Sequence, residues 1–292
     1  MKAMRNRPIL LLSIVALACL GGCGQAVKKN GPADPRLVAM VPEDTVAIAG
    51  GRMEPLRKAE LVPDLSRFAA QTGFNPATDI DEFLLAYNGK SAALLAAGRF
   101  DNAGLAQNLE NTGAKSEKYA QTTIWTNGDQ GVALLPAGLA VAAPNNLIRA
   151  ILDRKTGLSP SLSGPLQSVP GDAAIWAVSA GGIALPIPER SNLANLDKIL
   201  SQVESLVAFA HVATGVRASA TATSVDEAAA KKLHDGLRGL LGLARLSTPS
   251  QRSDLLKIYD AIDIRQQARE TRLNAYFSRD DMNHLLDIAR GR

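Results

Sequence analysis

The chain has 292 residues, of which 46% are hydrophobic and 4% aromatic, and its formal net charge is +4. Three basic residues lie at positions 2, 5 and 7, so the rest of the chain has 29 basic against 28 acidic residues. This near-neutral balance lacks the basic surface that nucleic-acid binding requires, and we expect no nucleic-acid partner. The only cysteines are Cys19 and Cys23, which excludes a disulfide scaffold or a zinc–thiolate site in the body of the chain.

Residues 1–22 have the three-part pattern of a secretory signal peptide. A basic start is followed by an apolar run over Ile9–Leu20 and then by small residues before Cys23. The apolar run is shorter than the roughly 20 residues that a membrane-spanning helix needs. We therefore expect a cleaved leader, and an uncleaved transmembrane anchor is the alternative.

The end of this leader resembles the lipobox of bacterial lipoproteins, in which a leucine and two small residues precede a cysteine. Leu20, Gly21, Gly22 and Cys23 match it throughout. The resemblance implies cleavage between Gly22 and Cys23 and attachment of lipid, such as palmitate, to Cys23. Two or more acyl chains anchor a protein stably in a membrane. Lipoproteins kept at the inner membrane often carry aspartate where this chain has Gly24, so the resemblance favours the outer membrane, facing the periplasm, over the inner membrane.

The chain after the leader is predicted to contain a tether and two units separated by a linker. Residues 23–38 are polar, contain glycine and proline and lack periodicity, which predicts a flexible tether. Residues 156–168 are rich in serine, proline and glycine, which predicts a linker. The two units are then 39–155 and 169–292.

The first unit is predicted to mix antiparallel strands with helices. Asn88-Gly89 stands between two apolar runs, which is a strong signal for a tight hairpin. Asp101 and Gly113 are typical of the start and the end of a helix. The predicted elements are a strand at 45–49 ending at Gly50-Gly51, a helix at 55–73, a hairpin at 83–100, a helix at 102–111, a meander at 119–142 and a helix at 145–154.

The second unit is predicted to repeat this order of elements. Residues 169–172 (VPGD) echo residues 41–44 (VPED), and a glycine pair again ends the strand that follows. Small apolar and polar residues alternate over 216–223, as in a strand with one solvated face. The predicted strands are 173–179, 206–209, 216–223, 262–268 and 271–277, and the predicted helices are 193–203, one from a capping box at 224–227 to about 246, 254–261 and 280–290.

These patterns predict an α+β fold made of two similar halves that arose by internal duplication. Strands joined by tight turns imply antiparallel sheets, and we expect each half to have a sheet covered by helices on one face. The arrangement resembles uncharacterised envelope proteins that carry duplicated α+β units. That resemblance implies no activity.

Few side chains form a pattern that would support catalysis or metal binding. His211, His234 and His284 each lack a second ligand at metal spacing. Ser179 lies in a sequence close to the Gly-x-Ser-x-Gly nucleophile elbow, but prolines soon after it exclude the helix that the elbow requires. The carboxylates at 79–82 lack the glycine and the distal glutamate of an EF-hand loop. We expect a non-enzymatic protein without a cofactor or metal.

Arg265, Arg269 and Arg272 form a candidate interaction surface for an acidic partner or lipid headgroups. A solvated outer sheet face is the alternative, since charge runs are commonly solvated. The functional hypothesis is a membrane-anchored envelope lipoprotein with an interaction or assembly role, whose partners are the membrane and another envelope protein. The alternative hypothesis is a ligand-binding lipoprotein with its site between the two halves, near the linker.

Overall fold

A computed structural model describes residues 31–62, 69, 74–153, 155–181, 200–249 and 252–282 of the chain. In this part of the chain one 12-stranded sheet carries helices on both faces. Every pair of neighbouring strands in the sheet is antiparallel. The prediction of a mixed α+β fold with antiparallel strands is therefore confirmed.

In several strands, burial alternates with the period of two that a strand imposes. In β2, for example, every second residue from Ile80 to Ala86 is buried. The strands are β1 (Ala47–Arg52), β2 (Ile80–Tyr87), β3 (Ala92–Gly98), β4 (Lys115–Tyr119), β5 (Thr122–Asn127), β6 (Gln130–Leu135), β7 (Leu139–Pro144), β8 (Ile175–Ala180), β9 (Val203–Val212), β10 (Gly215–Ser224), β11 (Ile262–Gln267) and β12 (Glu270–Ser278).

The described helices are short, apart from one of 21 residues. They are α1 (Pro35–Val38), α2 (Met53–Lys58), α3 (Pro76–Asp79), α4 (Asn102–Asn111), α5 (Asn145–Leu152), α6 (Pro160–Gln167), α7 (Glu227–Ser247) and α8 (Ser253–Asp260).

The strand order is built outward from a central pair, β1 and β8. On one side the order is β1-β2-β3-β7-β6-β5-β4, and on the other it is β8-β9-β10-β12-β11. We call β1–β7 the first region and β8–β12 the second region. The turn between β2 and β3 is the predicted Asn88-Gly89 hairpin, with Gly89 at φ +89° and the Asn88 side chain accepting the N–H of Ser91 at 2.8 Å.

The two faces of the sheet differ in what covers them. Face A carries Ile48, Leu95 and Trp176, and face B carries the intervening side chains, such as Leu94 and Ala177. In the first region face A packs against three helices, so the expectation of helices on one face alone is wrong there, because α4 lies on face B. The helix residues at 0% exposure in this core are Leu37 of α1, Ile148 of α5 and Leu162 of α6.

Face B of the second region packs against the N-terminal half of α7. Leu233 is 2% exposed and contacts Val203 and Ala222 of the sheet. The predicted helix is present, but the capping box is wrong: Ser224 ends β10, and the capping residue is Asp226, whose carboxylate accepts the N–H of Ala229 at 2.7 Å.

The prediction of a flexible tether over 23–38 is wrong from residue 31 onward. Asp34 caps α1, and Leu37 one turn later is completely buried. The Trp176 indole N–H donates to the Pro32 carbonyl at 3.2 Å, which ties this segment to the central strands. The polar composition of the segment hid a single helical turn with one deeply buried leucine.

The predicted linker over 156–168 is likewise part of the core. Pro160 stands in the first turn of α6, where a missing N–H costs nothing. Leu162 and Leu166, four residues apart, lie on one side of the helix and are 0% and 9% exposed. Serine, proline and glycine are compatible with a short helix here because two leucines supply the packing.

Three other predicted boundaries change. β1 does not end at Gly50-Gly51 but continues to Arg52. The helix predicted at 55–73 is α2, which ends at Lys58, and residues 63–68 and 70–73 lie outside the described residues. The helix predicted at 193–203 is wrong at its end, where Val203 begins β9, and residues 193–199 lie outside the described residues. Residues 283–290 of the last predicted helix also lie outside them.

Candidate functional site

Helix α4 lies over face B of the first region without burying any of its own residues. It starts at Asp101, whose carboxylate accepts the N–H of Gly104 at 3.1 Å, and Gly113 at φ +85° follows its end. Only Leu105 and Leu109 offer large apolar side chains, at the i and i+4 positions of one face. The sequence therefore forms a capped helix with a weak apolar side, set against a strongly apolar sheet.

The mismatch leaves a cavity of about 340 Å³ between α4 and the sheet. Its floor consists of face B side chains of β3, β6 and β7, and its roof of the two α4 leucines. Its lining residues are Phe74, Pro76, Ile80, Leu94, Ala96, Phe100, Leu105, Asn108, Leu109, Thr112, Val132, Leu134, Ala140, Val141 and Ala142.

The lining of the cavity is almost entirely apolar. Phe74 and Phe100 lie together at one end, with ring centroids 5.9 Å apart. Asn108 and Thr112 carry the only polar side chains among the described lining residues, and none of these residues is charged. The Thr112 hydroxyl donates to the Leu109 carbonyl at 2.8 Å, which satisfies it within the helix end. Such a lining favours a neutral apolar group over an ion.

A second compartment of about 330 Å³ adjoins the first beyond α4. The two share lining residues, among them Leu94 and Leu109. The second compartment adds Trp125, Asn127 and Gln130, so it is more polar than the first. The Trp125 indole nitrogen is buried and has no hydrogen-bond partner within the described structure. The site thus runs from an apolar end at the phenylalanine pair to a mixed end at the tryptophan.

The arginines predicted to form an interaction surface lie far along the sheet from this cavity, on and between β11 and β12. Each is paired with an acid: Arg265 with Asp263 at 2.7 Å, Arg272 with Glu270 at 2.6 Å, and Arg269 with Glu204. The pairs neutralise much of the basic character that the sequence indicates. A partner for this surface stays a prediction.

The other residues considered from sequence do not converge on a site. His211 lies 3.4 Å from Asp172 and His234 2.9 Å from its neighbour Asp235. Ser179 is 1% exposed, and its hydroxyl donates to the Gly181 carbonyl at 3.2 Å. In the described part of the chain, no three His, Cys, Asp or Glu side chains are close enough together to hold a metal ion. Cys23 and His284 lie outside the described residues.

The cavity is the feature that sequence reasoning missed. The alternative hypothesis from the sequence places a ligand site between the two halves near 156–168, yet this segment contains the buried helix α6, and the apolar cavity lies within the first region. The available signal was the contrast between α4, with two leucines, and strand β3, which is apolar on both faces. Within the described ranges, no helix combines the length and the apolar character that crossing a membrane would require.

Comparison with known proteins places the chain by fold alone. No family model matches it, and no curated protein matches it. Crystal form III of TP0453 has 7% identity, a TM-score of 0.52 and a match covering 87% of this chain and 98% of that one. Crystal form I has 9% identity and a TM-score of 0.49, covering 87% and 96%. Crystal form IV has 8% identity and a TM-score of 0.49, covering 85% and 95%.

Proposed function

We propose that the protein binds an apolar small molecule in the cavity beneath α4. The observation that carries this proposal is a cavity of about 340 Å³ whose described lining has two polar side chains and no charge. Its size falls within the range of roughly 300–1,000 Å³ typical of ligand pockets. The space is partly open to solvent, and an apolar occupant would be stabilised by moving its surface from water onto this lining.

The class of ligand follows from the lining. Each methylene group moved from water into such a site contributes about 0.8 kcal/mol, so an aliphatic chain is favoured. The mixed end at Trp125, Asn127 and Gln130 offers amide groups for a polar but uncharged head. Entry under α4 requires little disruption, because none of its residues is buried.

Ligand binding can be followed through Trp125, since Trp125 and Trp176 are the only tryptophans. The Trp176→Phe variant leaves Trp125 as the sole indole, and titration with dodecan-1-ol should shift its emission with saturation. Ala142 lines both compartments, so Ala142→Leu places three extra carbon atoms where they meet and should weaken binding roughly tenfold or more. Ala208→Leu, at a half-buried position on the same face outside both compartments, is the matched control and should bind normally. No saturable shift, or equal weakening in both variants, would refute the proposal.

We also propose that the protein is a lipid-anchored lipoprotein of the cell envelope, in the outer membrane facing the periplasm. The support is the lipobox Leu20-Gly21-Gly22-Cys23, with lipid on Cys23. Cys23→Ala should release the protein from the membrane fraction and remove the mass of the attached lipid. Retention in the membrane with an unchanged mass would contradict this anchor.

A duplication is the third proposal. Counting outward from the centre, β1, β2, β3 and β7 stand in the places of β8, β9, β10 and β12. The third strand of each set is followed by a helix on face B, α4 or α7. Superposition of the two sets tests the proposal: correspondence in this order supports it, and a best fit in another order counts against it.

An interaction or assembly role with another envelope protein is the second candidate function. It is favoured by two large apolar side chains in the middle of face B, Leu85 and Ile175, which are 40% and 41% exposed. The intact anchored chain is used to recover partners from the membrane. This role is supported if one partner is recovered, is lost in an Ile175→Asp variant and is kept in a Val225→Asp variant. Recovery that is indifferent to Ile175 would contradict it.

A further inference from the structure

The two edge strands of the sheet differ in how they are protected. A regular edge strand presents unpaired N–H and C=O groups that can pair with another chain. At one end, β4 (KSEKY) carries two lysines and a glutamate, all exposed, which is a common protection. At the other end, β11 (IDIRQQ) has no lysine or proline, and it pairs with β12 in an unbroken register without a bulge. β11 is therefore the less protected edge.

The side chains of β11 alternate between the two faces. Ile262 and Ile264 lie on face B and are half-buried. Asp263 and Arg265 lie on face A, where their side chains are 50% and 78% exposed. Within the described part of the chain, β11 pairs with β12 alone and stands at the end of the strand order.

We propose that β11 pairs antiparallel with β11 of a second copy of this chain, about a two-fold axis through Ile264. In this register Ile264 faces Ile264 of the second copy. Asp263 faces Arg265 of the second copy, and Arg265 faces its Asp263, so both exposed pairs have opposite charge. Such pairs stabilise neighbouring strands, whereas like charges directly opposite destabilise them.

The charges select this register among the symmetric ones. Residues that oppose each other across the two strands must lie on the same face. The two-fold axis therefore passes through a residue in every symmetric register, and the neighbouring registers place it through the neighbouring residues. Centring on Asp263 sets aspartate against aspartate, and centring on Arg265 sets arginine against arginine. At the other edge, pairing of two β4 strands about their middle residue sets Glu117 against Glu117. Charge complementarity therefore favours β11 and the centre at Ile264.

The apolar side of the sheet continues through the proposed contact. On face B, Ile264 stands beside Leu273, which stands beside Ala220 and then Ala208. A second copy joined at Ile264 would extend this aliphatic row across both chains. The contact is isologous, as most homodimer interfaces are, and it removes one open edge from each copy.

The test uses two charge variants of the full chain in detergent, studied by sedimentation. Arg265→Asp gives a strand with two aspartates, and Asp263→Arg gives a strand with two arginines. Each alone should raise the dissociation constant of the dimer about tenfold or more, because like charges then oppose each other. A mixture of the two should restore a heterodimer, since every cross-strand pair is again opposite in charge. Lys118→Glu on β4 is the control and should leave the dimer unchanged.

The mixture separates pairing between chains from effects within one chain. Each single variant also loses the Asp263–Arg265 contact within its own strand, and mixing cannot restore that contact. Recovery on mixing therefore supports the proposal. A monomer at all concentrations, a dimer indifferent to both variants, or a weakened dimer that mixing does not recover would each overturn it.

Discussion

The first region and the outer strands β10–β12 of the second region belong to one sheet but differ in how they use face A. In the first region the face A side chains Leu95, Ile124 and Val141 are 0–1% exposed beneath α1, α5 and α6. In the second region the same face carries polar side chains such as Ser219 and Thr221, which are half-buried. Both regions are antiparallel throughout, and each contains one register shift, after Ile80 in β2 and after Thr223 in β10, so the contrast comes mainly from the side chains.

Strands β3 and β10 show how the sequence produces the contrast. β3 (AALLAAG) is apolar at every position, so both of its faces must be covered, by the α5 and α6 layer on one side and α4 on the other. β10 (GVRASATATS) alternates small apolar with polar residues, so one covered face suffices. The pattern of one strand thus indicates how many layers pack against its region.

The largest expected effect is loss of a buried side chain from face A of the first region. Leu95→Ala should lower the free energy of unfolding by about 2–5 kcal/mol, because the cavity it leaves cannot collapse between packed layers. Thr221→Ala, on the same face of β10, should change it by only about 0.5 kcal/mol. Urea unfolding of both variants measures the difference. Equal losses would mean that face A of the second region is packed as tightly as that of the first, and the contrast would be wrong.

Gly50 in β1 and Gly181 directly after β8 provide a smaller test. A Cβ at Gly50 would lie 2.5 Å from Cζ2 of Trp176 and 2.9 Å from the Phe83 carbonyl oxygen. Gly50→Ala should therefore cost about 1–3 kcal/mol through overpacking. Gly181, after β8, has φ +93° and no atom within 4 Å of an added Cβ, so Gly181→Ala should cost about 1–2 kcal/mol through backbone strain.

A second substitution distinguishes the two mechanisms. Trp176→Leu removes the ring that crosses Gly50, so the cost of Gly50→Ala should be smaller in that background. The cost of Gly181→Ala should be unchanged, because Gly181 has no contact with the ring. Thermal or urea unfolding of the double-mutant cycle measures both couplings. Independence of Gly50→Ala from Trp176 would show that the ring is not the reason for glycine.

Local signals in the sequence predicted several elements correctly. The Asn88-Gly89 turn, the alternation over 216–223 and helix α7 each depend on residues close in sequence, and each is present. The glycine pair at 50–51 resembles a strand end in the local sequence, because Trp176, which requires a glycine at position 50, lies more than a hundred positions away. Composition alone also hid α6, whose place is set by two leucines that meet the sheet.

The candidate site could not be predicted for a related reason. A cavity is a failure of packing between elements that are distant in sequence, here α4 and strands β3, β6 and β7. Each element by itself looks ordinary. The shortage of large apolar residues on α4 becomes informative only when its position over an aliphatic sheet is known.

The smallest expected effect concerns how the edge strand β4 is held in the first region. The Tyr119 hydroxyl donates to Asp153 at 2.9 Å, and this hydrogen bond raises the pKa of Tyr119 above its ordinary value. A raised pKa in the folded state means that the contribution to stability is present below the ordinary tyrosine pKa of about 10 and is lost as the pH rises further.

Tyr119→Phe should remove this pH-dependent loss, so the free energy of unfolding of the variant should fall less at alkaline pH than that of the unsubstituted chain. Asp153→Ala removes the acceptor and should have the same effect without removing the ring, which packs beside Arg149 at 5.4 Å. Urea unfolding across this pH range measures both, and an unchanged profile in either variant would mean that the Tyr119–Asp153 contact does not hold β4 in solution.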